Sequence, residues 1–174
     1  MEYTFTLKYQ LPASDNDIDD VVERLGASGC DDALVGIGLP GRVALMFGRE
    51  SGSAHEAIVS ALVDVRRAVP DATLIEATPD FVGLTDVAEV VGVSRQNMRK
   101  LMTTHPASFP APVHEGAASV WHLADVLRWL AERGSYAVEP SLIDVAETTM
   151  QVNLARGAKR IAPEIGPQLA QLVG

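Results

Sequence analysis

The stretch that decides the fold reads LTDVAEVVGVSRQNMRKLM and runs from Leu84 to Met102. Thr85 is a residue type that can cap a short first helix, and Gly92 then supplies a turn. Ser94 can cap a second helix that runs from Arg95 to about Thr103. Two short helices joined by a tight turn that contains glycine are typical of a helix-turn-helix.

The two faces of this predicted helix pair differ in chemistry. Apolar residues at helical spacing are expected to point inward, and these are Val87, Ala88, Val91, Val93, Met98 and Leu101. The second helix presents polar and basic residues on its other face, namely Arg95, Gln96, Asn97, Arg99 and Lys100. Arginine suits guanine edges, Asn and Gln suit adenine edges, and basic side chains also suit phosphates. A charged outer face is also ordinary for a surface helix. The residues that follow are therefore needed to distinguish a DNA-binding helix from a solvated one.

Those following residues predict a wing. FPAPV begins at Phe109 as an extended segment, Gly116 marks a loop, and a second extended segment precedes a helix from Ala124 to Glu132. A β-hairpin after the second helix of a helix-turn-helix favours the DNA-binding interpretation. Large apolar residues at helical spacing should pack as a small core, and they are Trp121, Leu123, Val126, Leu127, Trp129 and Leu130.

Residues 81–133 resemble the winged helix-turn-helix of the MerR superfamily, and within it the prophage-regulator and excisionase-like branch. The resemblance rests on LTDVAEVVGVSRQNMRKLM, FPAPV, Gly116 and VWHLADVLRWL, in that order and at that spacing. It implies that Thr85 and Ser94 lie at helix starts near phosphates, and it places His114 in the wing. It further implies that the second helix enters the major groove with Arg95, Gln96, Asn97 and Arg99, with Lys100 at its rim.

Residues 1–80 form a different pattern. YTFTLKYQL, which begins at Tyr3, alternates strictly between apolar and polar residues and predicts a strand with one buried face. A capped helix, a hairpin through LPGR at 39–42, a second helix ended by Pro70 and a last short strand follow. The order β-α-β-β-α-β is that of a ferredoxin-like domain, with two helices on one face of a four-stranded antiparallel sheet.

One literal motif in this region is a decoy. GIGLPG, from Gly36 to Gly41, matches the dinucleotide pattern G-x-G-x-x-G. That pattern requires the glycine loop to open a helix whose N–H groups meet the pyrophosphate. Here Pro40 and Gly41 are the central residues of a tight turn, and a β-type run follows. We therefore expect a hairpin and no nucleotide site.

The net charge of −9 is not spread evenly. Residues 1–80 contain 14 acids and 6 bases, whereas residues 81–134 contain 5 of each and residues 135–174 contain 4 acids and 3 bases. The acid therefore belongs to the N-terminal domain, which should not lie on DNA. Because one neutral 81–134 module should bind DNA weakly, we expect a homodimer.

Residues 135–174 are expected to form a C-terminal helical tail after Pro140. Leu142, Ala146, Met150 and Leu154 recur every four residues, either to pack back on the chain or to form a dimer seam. Basic residues cluster at the end of this helix, where cations suit the helix dipole.

The fold class expected is thus α+β: a ferredoxin-like domain over 1–80, a winged helix-turn-helix over 81–134 and a helical tail. The expected function is a sequence-specific DNA-binding transcriptional regulator. One alternative is an antitoxin whose acidic N-terminal domain neutralises a basic toxin. Another is a ligand-binding regulatory module on the ferredoxin-like domain.

Other classes of function find little support in the residues. No nucleophile–base pair, carboxylate pair in an apolar setting or metal-ligand spacing is present, so we expect no enzyme, no cofactor and no metal site. Cys30, the one cysteine, is expected to be a small apolar filler. No apolar run reaches the roughly 20 residues that span a bilayer, and the expected compartment is the cytoplasm.

Overall fold

The computed structural model describes residues 1–134 and 136–173 and has an α+β fold. The first part of the chain contains β1 (Glu2–Gln10), α1 (Ile18–Ala27), β2 (Ala33–Ile37), β3 (Arg42–Glu50), α2 (Ala54–Ala68) and β4 (Thr73–Thr78). The second contains β5 (Phe81–Val82), α3 (Leu84–Val91), α4 (Arg95–Thr104), β6 (Trp121–His122), α5 (Leu123–Glu132), α6 (Pro140–Ala158) and α7 (Gly166–Leu172). None of these helices is long and apolar enough to cross a bilayer.

A four-stranded antiparallel sheet in the order β2-β3-β1-β4 organises the first core. The predicted alternation of β1 is confirmed, since its apolar residues, Tyr3, Phe5, Leu7 and Tyr9, are all buried. Phe5 stacks on Phe47 of β3 with ring centroids 5.1 Å apart. Cys30 is buried in the same core, as expected.

The hairpin between β2 and β3 confirms that GIGLPG is a turn. The Arg42 N–H donates to the carbonyl oxygen of Leu39 at 2.9 Å, and Gly41 between them has φ of 74°. A positive φ of this size is one that glycine adopts without a Cβ penalty. Because β3 and not a helix follows, no helix N-terminus faces the glycines.

A second core forms from residues 82–130. Its buried members include every large apolar residue predicted after the wing, together with Val87, Ala88 and Met98 of the helix pair. Trp121 donates its indole N–H to the carbonyl oxygen of Pro110 at 3.0 Å, which attaches the 106–113 segment to this core. Phe109 packs edge-on against Trp129 with centroids 5.0 Å apart.

Helix α6 packs back on the chain and contacts both cores. Val145 is buried in the first core and Ala146 in the second. Leu142 and Met150 of the predicted stripe pack against the second core, but Leu154 is 53% exposed. The buried face of α6 is therefore rotated from the predicted stripe. The reason is that the helix packs against two cores at once and not against a single surface.

A buried polar network, which sequence patterns did not indicate, connects α6 to the segment between the two cores. The side-chain amide of Asn153 accepts the Ala77 N–H at 2.9 Å and donates to the Ala77 carbonyl at 2.7 Å. It also donates to Asp80 at 2.7 Å, and the other oxygen of that carboxylate lies 2.6 Å from Nδ1 of His122. Thr149 bonds the carbonyl of Pro79. Because Ala77 belongs to β4, this network also joins α6 to an edge strand of the sheet.

Candidate nucleic-acid interface

The first helix of the pair begins two residues earlier than a Thr85 cap requires. Gly83 is the N-cap of α3, and its N–H donates to the Asp86 carboxylate at 2.7 Å. Thr85 is the second helical residue, so the prediction that it caps the helix was wrong. The physical reason is that Asp86, in the first turn, bonds back to the backbone N–H of Gly83 and fixes the helix start there.

The turn and the second helix form as predicted. Gly92 has φ of 72°, and its N–H donates to the carbonyl of Glu89 at 3.2 Å, which ends α3 in a left-handed residue. Ser94 caps α4, since its Oγ accepts the N–H of Asn97 at 3.2 Å. That bond uses the hydroxyl oxygen as an acceptor and leaves the hydroxyl proton available to an external acceptor such as a phosphate.

Helix α4 is divided into an inner and an outer face. Met98 is fully buried and Leu101 packs against the second core, which fixes the rotation of the helix. The predicted contact residues lie on the other side: Arg95, Gln96, Arg99 and Lys100 are exposed, and Asn97 is half-buried. The five side chains that were predicted from their residue types to contact DNA therefore share one accessible face of α4.

Charge is concentrated on this helix although residues 81–134 are neutral as a whole. Three of the five bases lie on α4, which contains no acid, and none of the three makes an ion pair with another described residue. The other two bases lie elsewhere: Arg128 pairs with Glu147 of α6, and Arg133 lies over the ring of Trp129 at 4.6 Å. The zero net charge of residues 81–134 is therefore unevenly distributed, and α4 has a local cationic face.

A groove of about 980 Å³ runs beside this face. It lies between the start of α3, the helix α4 and the 106–119 segment, and Thr85, Arg95 and Arg99 line it. Asp86 and Glu115 line it as well. Ser94, Gln96, Asn97, Lys100 and His114 lie outside the groove lining.

The predicted wing is shorter than a strand-loop-strand hairpin. A single bridge joins His114 to Val120, supported by the Val113 N–H donating to the Val120 carbonyl at 2.8 Å. The residues that should have extended the second wing strand, Trp121 and His122, pair instead with β5. The burial of Trp121 in the core explains this, since a wing strand would have to expose it. His114 itself is exposed beside the loop.

His122, which follows Trp121, does not lie on the exposed face of α4. It is buried at the junction with Asp80. Among residues 1–134 and 136–173, no group of three His, Cys, Asp or Glu side chains is placed to hold a metal ion.

Comparison with known proteins adds nothing to this geometry: no family model, curated protein or solved structure matches the chain.

Proposed function

We propose that this protein is a sequence-specific DNA-binding transcriptional regulator that acts as a homodimer. In this proposal residues 81–134 are a winged helix-turn-helix of the MerR type, and residues 1–80 are a ferredoxin-like domain. The observation that carries the proposal is the outer face of α4. This helix follows a left-handed glycine turn and has three bases and no acid, and the three bases make no ion pair with the residues that the structure describes. A second helix with this face is the element that enters the major groove in helix-turn-helix proteins.

Each residue of the face has a role in the proposal. Arg95 and Gln96 lie in the first turn of α4, the end that meets base edges, and Arg99 follows one turn later. Arginine reads guanine by a bidentate contact, while Asn97 and Gln96 suit adenine. Thr85, Ser94 and Lys100 contact phosphates, and His114 reaches the duplex from the short wing.

The ferredoxin-like assignment of residues 1–80 is supported by the element order and the strand order β2-β3-β1-β4. The two edges of this sheet differ. Asn153 bonds the backbone of β4, whereas β2 has no strand on its outer side. Exposed edges of this kind invite pairing with a second copy.

We place the homodimer contact at β2. Leu34, Ile37 and Leu39 are 67%, 62% and 63% exposed, and no charged residue occurs between Asp32 and Arg42. Antiparallel pairing of two β2 strands on a two-fold axis brings the acidic end of one strand to the hairpin end of the other, which carries Arg42. Parallel pairing would instead place like charges together.

The experiment that tests DNA binding is selection of sites by the full chain from random double-stranded DNA, followed by fluorescence anisotropy with the selected site. We expect Arg95→Ala to weaken binding by about 1–3 kcal/mol and to relax base preference at one position. Arg67→Ala removes the same charge from the exposed side of α2 in the N-terminal domain, outside β2, and should change affinity little. Absence of any enriched sequence, or equal losses in the two variants, would overturn the proposal.

The dimer is tested by light scattering on the intact protein. The double substitution Leu34→Lys and Ile37→Lys should yield a monomer, because charges on an edge strand prevent pairing. Leu154→Lys, on the exposed side of α6, should leave the dimer intact. A dimer lost only in the Leu154→Lys variant would move the interface to the tail.

A further inference from the structure

A second groove, of about 560 Å³, lies between α2, β4 and the end of α6, on elements other than α4. Its apolar walls are formed by Leu62, Val69, Pro70, Ala72, Leu74, Val152 and Ala155. Arg66, Arg156 and Lys159 also line it, and no Asp or Glu does. Three bases without an acid are unexpected beside a segment in which acids outnumber bases by 14 to 6.

The bases of the groove differ from most bases of residues 1–80 in making no ion pair. Four of the other five bases of residues 1–80 are paired: Lys8 with Glu76 at 2.9 Å, Arg24 with Asp15 at 2.8 Å, Arg49 with Asp32 at 2.7 Å and Arg67 with Asp64 at 3.4 Å. Within the part of the chain that the structure describes, Arg66, Arg156 and Lys159 make no ion pair. No carboxylate of the groove lining balances their charge.

Arg156 provides a more specific indication. Its Nε atom is buried and has no hydrogen-bond acceptor among the described residues. A buried N–H donor without an acceptor loses the hydrogen bond that it makes to water in the unfolded chain, so native structures rarely leave one unsatisfied. An anion held between Arg156 and its neighbours would supply the acceptor that the chain lacks.

Tyr9 adds a neutral donor to the same groove. Its ring is 5% exposed, and burial raises the pKa of its phenol well above the ordinary value, so the hydroxyl keeps its proton. No described residue accepts a hydrogen bond from it. The groove thus combines three cations, one phenol and an apolar wall, within the size range of small-molecule sites.

We propose that this groove binds a small organic anion, a carboxylate or phosphate group attached to an apolar body. The anionic group lies between Arg66 of α2 and Arg156 and Lys159 of α6, and the apolar body lies against the Leu62 and Val152 side. A purely inorganic anion would leave the apolar wall in water, and a neutral apolar molecule would leave the cations unpaired.

Such a ligand would act on α6. This helix contributes Arg156 and Lys159 to the groove, and it contributes Ala146 to the second core. It also pairs with α5 through Glu147 and Arg128. An anion that contacts both α2 and α6 therefore fixes the position of α6, the helix against which the 81–134 segment packs. This regulatory consequence rests on the proposed DNA binding, whereas ligand binding itself does not.

The test uses the full chain and two probes, sodium decanoate and phenyl phosphate, in isothermal titration calorimetry. We expect at least one probe to bind, and the probe that binds identifies the anionic group. 1-Decanol, which has the same apolar body as decanoate without the charge, should not bind. Arg156→Met should weaken binding at least tenfold, while Arg156→Lys, which keeps the charge, should retain most of it.

Arg160→Met is the matched control, because Arg160 is exposed near the same helix end and does not line the groove. It should leave affinity within about twofold of the wild type, since additivity holds for residues outside the site. No binding of either probe at about 1 mM, an affinity of only about −4 kcal/mol, would overturn the proposal. Equal losses in the Arg156→Met and Arg160→Met variants would overturn it as well.

A DNA arm separates this proposal from the previous one. The bound probe should change the affinity for the selected DNA site at least threefold in the wild type and leave it unchanged in the Arg156→Met variant. Probe binding without any DNA binding would refute the regulator and leave the anion site standing. DNA binding without probe binding would refute the anion site alone.

Discussion

The Asn153 amide at the junction of the two cores offers the sharpest test of how this fold is held together. Asn153→Ala removes three hydrogen bonds at once and leaves the Ala77 N–H, the Ala77 carbonyl and one oxygen of Asp80 without partners. Asn153 is 3% exposed, so water cannot readily replace the amide. Buried unsatisfied groups cost about 1–3 kcal/mol each, and partial relaxation gives an expected loss of about 3–5 kcal/mol.

The assay is urea unfolding followed by two signals. Both tryptophans, Trp121 and Trp129, are buried in the second core, so tryptophan fluorescence reports that core. Far-ultraviolet circular dichroism reports the whole chain. In the wild type we expect the two transitions to coincide, because α6 belongs to both cores. In Asn153→Ala the midpoints should fall and separate.

Two further variants complete this test. Gln151→Ala also replaces an amide by a methyl group on α6, but Gln151 is exposed, and the change should stay within about 0.5 kcal/mol. Asn153→Asp preserves the shape and places a second carboxylate against Asp80, so it should destabilise at least as much as alanine. A loss below about 1 kcal/mol for Asn153→Ala, with coincident transitions, would refute the network as the joint between the cores.

Further expected outcomes follow from individual residues. Burial, reinforced by the nearby Asp64 carboxylate, raises the pKa of Cys30 from 9.0 to about 11, so iodoacetamide should label Cys30 slowly at neutral pH unless urea is added. The folded state binds the thiol proton of Cys30 more tightly than the unfolded state does. The resulting contribution to the free energy of unfolding is complete below pH 9 and should be lost as the pH approaches 11, which urea unfolding can measure. Gly92→Ala should destabilise by about 1–2 kcal/mol because φ is 72°, whereas Gly157→Ala, with open space at its Cβ, should raise stability by up to about 1 kcal/mol. Lys100→Ala should reduce the slope of log affinity for DNA against log salt by about one unit, and an unchanged slope would place Lys100 away from phosphates.

Local patterns determined the elements of this protein. The alternation of YTFTLKYQL, the Pro40-Gly41 turn and the Ser94 cap each depend on residues adjacent in the chain, and each was predicted correctly. The polar face of α4 was predictable for the same reason, because a 3.6-residue period assigns each side chain to a face once the buried Met98 is known. What that face binds stays a prediction.

Tertiary structure decided what happens where distant segments meet. Asn153 and Asp80 are 73 positions apart, and nothing local distinguishes them from ordinary surface residues. The groove that joins Arg66 to Arg156 and Lys159 depends on the same placement of α6. The position of α6 follows from the burial of Val145 in one core and Ala146 in the other, and no local pattern encodes that division. The wing hairpin is shorter than predicted for a related reason: Trp121 gains more by packing in the core than its strand would gain by extending a hairpin into water.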